Sequence, residues 1–398
     1  MLQAMCFATR ANTLESSAAN DAAKEVPMFV AWRELRHARG RFALISAVVA
    51  LITLLVGFLA GLTGGLAGQN ISAVLALPGD RLVLSKSDDG STSFAASSIS
   101  DAATKTWQDA SGIDTVTAIG ITQARAALAE DANDTETRDS TGIAVFGLPI
   151  DLAEAHRTEL TELVPDASDQ IVLSEPAAES LNAAKGETVQ IAGIDYTVKD
   201  IATDLHYSHT PIAVVDSDAW HELSIRLGGT GDPTLLAVSG EQGTDFDAIA
   251  ADTDTSADTA LMSLTALESF KSEIGSLGLM IALLFGISAL VVGAFFTVWT
   301  IQRAGDIAVL KALGATTRSL VRDALGQAAI VLIIGIGIGL LAVVGLGLLA
   351  ANVLPFELSL LTTALPAAIM AALGLAGAAF ALRTVTKADP LTALGSNR

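Results

Sequence analysis

FALISAVVALITLLVGFLAGLTGGL, residues 42–66, runs for 25 residues without an Asp, Glu, Lys, Arg or His. A helix that crosses the hydrocarbon core of a bilayer needs about 20 predominantly apolar residues. The stretch therefore predicts a membrane span rather than a buried helix of a soluble core. Three later runs, 274–301, 326–356 and 362–382, lack the same five residue types. The chain thus reads as one span, a long insertion and three more spans. A mean hydropathy of +0.52 with 17% charged residues is what such a partition gives.

Orientation follows from the basic residues, because Lys and Arg beside a span are retained in the cytoplasm. Arg33, Arg36, Arg39 and Arg41 precede the first span; Arg303, Lys311, Arg318 and Arg322 separate the second from the third; Arg383, Lys387 and Arg398 follow the fourth. These segments, and with them both termini, are expected on the cytoplasmic side of a plasma membrane. The insertion, 67–273, carries 35 acidic against 10 basic residues and is expected outside. Its charge argues against nucleic acid as a partner. The single Cys6 leaves no intrachain disulfide to hold the insertion together.

Residues 1–27 lack the apolar core of a signal peptide and are expected to be a disordered tail or the product of a start assigned too early. Residues 28–41, MFVAWRELRHARGR, place Phe29, Trp32 and Leu35 beside arginines, which suits a short helix in the inner interface. The first span carries Gly57, Gly61, Gly64, Gly65 and Gly68, with Gly57, Gly61 and Gly65 four residues apart. Small residues at that spacing let helix backbones approach closely, within the chain or across a dimer.

The insertion reads as an α+β domain, 67–262. A strand is expected over Asp80–Ser85. In Gln170–Ile201 an apolar run ends at Ser174, a short helix continues through Leu181, Lys185-Gly186 turns, and runs Thr188–Ile191 and Tyr196–Ile201 flank a Gly193 hairpin. A further strand pair is expected over Pro211–Val215 and Thr234–Val238. Leu264, Leu267, Phe270, Ile274 and Leu277 recur at helical spacing, which predicts a stalk helix from Ser263 running unbroken into the second span, 263–301.

Catalytic chemistry finds no footing. There is no G-x-x-x-x-G-K-[ST] loop to cradle a nucleotide, no H-E-x-x-H, and no G-x-S-x-G. Ionisable residues, the usual mark of ion transport, are missing from the four runs. An apolar or amphipathic cargo suits such spans better than an ion.

Three segments carry a resemblance. Residues 303–316, RAGDIAVLKALGAT, follow the pattern R-x-x-[ED]-I-x-x-L-[KR]-A-[LI]-G-A-[ST]; residues 388–394, ADPLTAL, resemble a short xDPxxAL ending; and residues 172–201 resemble an LS-plus-helix segment followed by G-[ED]-x-V-x-[IL]-x-G-x-x-[YF]-x-V. All three are similar to the FtsX/MacB-type (type VII) ABC transporter permeases, over everything from about Met28 onward. The resemblance implies four transmembrane helices, one plus three, around an extracytoplasmic domain of the MacB core type.

It also implies a homodimer, embedded among membrane lipids, working with a separate ABC ATPase subunit that holds the ATP and Mg2+, the chain itself having no catalytic role and no intrinsic cofactor. The loop 302–325 then contains a coupling helix that docks on the ATPase. There Asp306 suits the helix N-terminus, Ile307, Leu310 and Leu313 form an apolar face flanked by Arg303 and Lys311, and Gly314 ends the helix. Thr316 or Thr317 can cap the helix that follows.

Within the family the opening of the transmembrane part most resembles haem-efflux permeases of Gram-positive bacteria, which implies haem as cargo. Haem needs an apolar slot and an iron ligand. Phe58, Met262, Phe270 and the glycine region offer the slot, Glu268 or Glu273 the ligand, and Lys271 a partner for a propionate. His206, Tyr207 and His209 form a second candidate cluster. Two alternatives stay open: a transmembrane mechanotransmitter regulating an extracytoplasmic partner such as a cell-wall hydrolase, and an exporter of a peptide or antibiotic.

Overall fold

The computed structural model describes residues 39–129, 140–152, 158–302, 305, 309, 314 and 316–386. The chain divides into two compact units, one formed by the residues up to 64 with those from 278 onward, the other by Gly65–Leu277. The first is helical. Among the described residues its members are α1 (Arg39–Leu75), which continues into the second unit, and three helices after the insertion whose labels follow below in chain order.

The second unit begins with the last turns of α1 and continues through β1 (Arg81–Ser85), α2 (Asp101–Asp109), β2 (Ile113–Leu128), β3 (Thr141–Leu148), β4 (Gln170–Leu173), α3 (Glu175–Leu181), β5 (Thr188–Ile191), β6 (Ile194–Ile201), β7 (His206–Tyr207), β8 (Thr210–Asp216), α4 (Ser217–Arg226), β9 (Leu235–Gly240), α5 (Phe246–Asp252), β10 (Thr255–Asp258) and α6 (Ala260–Ser263). The strand order is β10-β1-β9-β2-β3-β8-β4-β6-β5, with β7 paired to β8. The long β2 is the pivot. Ile113–Ile119 pair with β9, Gly120–Ala126 with β3, and Ala126–Leu128 with β5. The last pairing joins the end of the order back to β2, so β2, β3, β8, β4, β6 and β5 close a ring.

Alternation along the strands feeds two cores. Ile143 and Val145 of β3, Ala213 and Val215 of β8 and Ile171 and Leu173 of β4 pack with α3 and α4. The intervening Ala144, Phe146, Ile212 and Val214 join Leu82, Leu84, Ala73 and Val74 on the other face. Both faces of these strands are therefore buried, which is why they read as continuous apolar runs. Trp220 of α4 lies over Gly120 and Gly147, which sit opposite each other across the β2–β3 pair. A Cβ at Gly120 would come within 2.2 Å of the indole.

Locally the second unit obeys the sequence. Ser174 caps α3 by accepting from the Ala177 N–H, and Asn182 ends it in the left-handed region. The β5–β6 turn, Ala192-Gly193, has φ of 49° and 79°, the two-residue hairpin geometry expected at Gly193. Two expectations fail. The strands at Pro211–Val215 and Thr234–Val238 exist as β8 and β9, but they are not partners: β8 pairs with β3, β4 and β7, and β9 lies between β1 and β2. The unbroken stalk from Ser263 is also wrong. Residues Leu264–Ala266 form a 3-10 turn, Leu267 is extended with ψ of 107°, and the long helix α7 starts only at Glu268 and runs to Gln302. Leu264 and Leu267 are apolar because they fill the sheet core, not because they line a helix.

The remaining helices are α8 (Thr317–Ala350) and α9 (Leu360–Thr386). Together with α1 and α7 they are, among the described residues, the four helices long and apolar enough to cross a membrane. The third apolar run, 326–356, forms one helix of span length as expected, with shifted bounds: it begins nine residues earlier and stops at Ala350, ahead of Pro355. Within the helical unit α1 and α8 meet through glycine. A Cβ on Gly335 would lie 2.9 Å from the Ser46 carbonyl oxygen, and one on Gly339 2.7 Å from that of Ala50. Such contact is available only to backbones with nothing between them, and it is how helices associate where burial from water contributes little. Phe42, Phe296 and Trp299 pack edge to face, with centroids 5.9 and 6.0 Å apart.

Candidate functional site

The expected glycine face of the first helix is occupied within the chain. A Cβ on Gly57 would meet Val343 of α8 at 2.7 Å, one on Gly61 would meet the Phe356 ring at 2.3 Å, and one on Gly64 would meet Thr362 at 2.6 Å. Phe58 packs on the same Phe356 at 4.9 Å between centroids, and the Glu357 N–H donates to the Gly61 carbonyl. Gly65 is half-buried on α1, and Gly68 faces open space. Sequence reading missed Phe356, which follows a proline beyond the helix and carries no periodic signal.

Of the expected coupling residues, Arg303, Asp306, Ile307, Leu310, Lys311 and Leu313 lie outside the described residues. Gly314 has φ of 96°, which an L side chain rarely adopts. Thr316 then caps α8, its hydroxyl accepting from the Ser319 N–H at 3.2 Å. The short helix 28–41 and the tail 1–27 also fall outside, apart from the start of α1.

Within the Gly65–Leu277 unit the two expected clusters meet in part. The β7–β8 connection is a two-residue turn, Ser208-His209, with φ of 52° and 63°. That type I′ geometry ordinarily selects Asn-Gly, and a residue with a Cβ costs about 1–2 kcal/mol at each such position. It is held by Ser208 N–H donating to the Asn70 carbonyl and His209 N–H donating to that of Gln69. The turn delivers the His209 imidazole to the Glu273 carboxylate of α7, Nε2 to Oε2 3.0 Å. Asn70, fully buried on α1, completes the group. Its Nδ2 donates to Glu273 Oε2 at 3.1 Å and lies 3.2 Å from His209 Nε2, while its Oδ1 accepts from Ser269 Oγ at 2.8 Å. Ser72 clamps the adjacent strand, its hydroxyl accepting from the His206 N–H and donating to the His206 carbonyl.

The other candidates disperse. Tyr207 is a core residue, edge-on to Phe94 and Phe146, and burial pushes its phenol well above the ordinary range. His206 points to Asp204, Nδ1 to Oδ1 3.4 Å. Burial lowers its pKa, opposed by Asp204 and aided by His209. Phe270 packs against the sheet core, whereas Met262, Glu268 and Lys271 are exposed. Among the described residues no three His, Cys, Asp or Glu side chains come together. Asn70 and Ser269 escaped sequence reading because a lone Asn or Ser near a span has no distinguishing pattern.

Among the described residues, four long apolar helices, one before and three after an inserted α+β domain, give the chain the layout of a membrane protein with a large insertion. Residues 278–390, from α7 through α9 into the tail, match the FtsX-like permease C-terminal family, so the chain carries an FtsX-like permease domain. It is 25% identical over 383 residues to the putative hemin transport system permease protein HrtB of Staphylococcus epidermidis, covering 93% of this chain and 100% of that one. A protein of the same description from Staphylococcus haemolyticus is 26% identical over 242 residues, covering 58% and 65%. Two solved domains are also similar. The periplasmic region of MacB from Actinobacillus actinomycetemcomitans is 10% identical with a TM-score of 0.32, covering 48% of this chain and 92% of that one. The extracellular domain of the noncanonic ABC-type transporter YknZ from Gram-positive bacteria is 15% identical with a TM-score of 0.29, covering 42% and 87%.

Proposed function

We propose that this chain is the permease subunit of an ABC-type efflux pump, working as a homodimer with a separate ATPase subunit, and that its cargo is amphipathic, with haem the best candidate. The observation that carries this reading is the similarity to HrtB along 93% of the chain and the whole of the relative, through both the inserted domain and the permease domain. The sequence has no phosphate loop, which is in keeping with an ATPase carried by a separate subunit. The basic flanks of the spans support cytoplasmic termini and an acidic domain outside. In this reading the segment 303–314 docks on the ATPase, and closure there is passed along α1 and α7, which at 37 and 35 residues are each longer than a bilayer core requires. Movement of the domain then expels cargo without a continuous channel.

The test is reconstitution of the full chain with its ATPase in vesicles. Haem should raise ATP turnover, and titration of the purified complex should shift the haem Soret band. A complex that leaves the band unmoved, from a strain whose deletion mutant tolerates haem like wild type, has another cargo.

A further inference from the structure

We propose that Asn70, His209 and Glu273 form a binding site for a divalent transition-metal ion on the Gly65–Leu277 unit. The three side chains come from α1, from the Ser208-His209 turn and from α7, and their polar atoms form a nearly equilateral face. Nε2 to Oε2 is 3.0 Å, Nδ2 to Oε2 3.1 Å and Nδ2 to Nε2 3.2 Å. Metal–ligand bonds of about 2.1–2.2 Å meeting at a right angle put neighbouring ligand atoms about 3.0–3.1 Å apart. The face therefore has the dimensions of one side of an octahedron.

Proton bookkeeping points the same way. Nε2 and Oε2 at 3.0 Å cannot both present lone pairs, so one proton must lie between them, and Asn70 Nδ2 is then left with a single acceptor on that side. A dication replaces that proton and satisfies both atoms. Turning the Asn70 carboxamide about its own bond exchanges Nδ2 for Oδ1 without changing its shape, and makes it the third ligand. Ser269 Oγ, which both donates and accepts, can serve either amide atom on the far side, backed by Ser208 Oγ at 2.8 Å. An imidazole in the donor set favours a transition metal over Mg2+ or Ca2+.

Access is adequate. His209 and Glu273 side chains keep 33% and 30% of their surface, room for water to complete the coordination, while Asn70 is enclosed and fixed. The backbone of the turn is held in a sparsely populated conformation at both Ser208 and His209, a cost that recurs where a side chain must be aimed. The site does not depend on haem being the cargo.

The full-length chain, purified in detergent and stripped with chelator, would be titrated with Co2+ followed by its d–d absorption and with Zn2+ followed calorimetrically. One ion per chain should bind saturably. His209→Ala and Glu273→Gln should each weaken binding at least tenfold, and Asn70→Asp, which exchanges carboxamide for carboxylate, should strengthen it at least tenfold. Gel filtration and circular dichroism of each variant identify any that misfolds; the isosteric Glu273→Gln then decides alone. Absence of saturable uptake by the wild type, or uptake indifferent to His209→Ala and Glu273→Gln and so held elsewhere on the acidic surface, overturns the site.

Discussion

The helical unit and the inserted domain use glycine for opposite ends. In the helices, Gly335 and Gly339 remove side chains so that one backbone can rest on the carbonyls of another. In the domain, Gly120 and Gly147 clear a slot for the largest side chain available, the Trp220 indole. The contrast follows from the solvent each unit is built for. Where apolar surface gains nothing by hiding from lipid, cohesion has to come from close backbone contact; where water is outside, a buried aromatic contributes most per residue. The same division governs surfaces. Leu279, Leu283, Leu290, Leu341 and Phe380 are exposed on the helices, whereas Ile143, Val145, Leu148 and Val214 of the domain are fully enclosed in two-sided sheet cores.

Gly339→Leu should have the largest effect, costing more than about 4 kcal/mol or abolishing a monodisperse peak on gel filtration. Gly337→Leu, on the same helix but with open space at its Cβ, should change the unfolding midpoint little. If both behave alike, close packing is not what holds the helices. Trp220→Ala should destabilise the domain by about 3–5 kcal/mol in denaturant titration, since the glycine slot cannot collapse. Asn70→Leu should cost about 1–3 kcal/mol by thermal unfolding, because the Glu273 carboxylate and Ser269 hydroxyl lose a buried partner.

A smaller effect concerns acid. Burial lowers the pKa of His206 in the folded chain from 6.5. As pH falls below about 6.5 the unfolded chain takes up this proton first, so the stability owed to neutral His206 is present above that value and declines below it. His206→Gln should flatten that part of a stability–pH curve. Smallest of all, Glu222→Gln, which removes the exposed pair with Arg226 on α4, should cost no more than about 0.5 kcal/mol.

The spans were legible because 25 uncharged residues admit few other readings, and the segment 170–201 because its cap, turn glycine and alternation agree with one another. Pairing was not legible. Nothing in Pro211–Val215 says that its neighbours are β3 and β4, since partner choice is made by long-range packing and not by local pattern. The 263–277 stripe misled because burial against a sheet and burial along a helix can share a spacing over one or two turns. Half of the polar cluster was visible as His209 and Glu273, two candidates kept apart by 64 positions; Asn70, which joins them, could be found only in three dimensions.

The placement of β1 has an effect on synthesis. The first strand of the insertion lies between β9 and β10, its Leu82 paired with Ala237 on one side and Asp258 on the other. A growing chain therefore cannot complete this sheet until residue 258 has been made, about ten residues before α7 begins. Closure of the domain and emergence of the second span become nearly simultaneous events. A nascent chain stalled or cleaved inside 235–258 would be left with one anchored helix and an unpaired strand edge, a target for quality control before any permease domain exists.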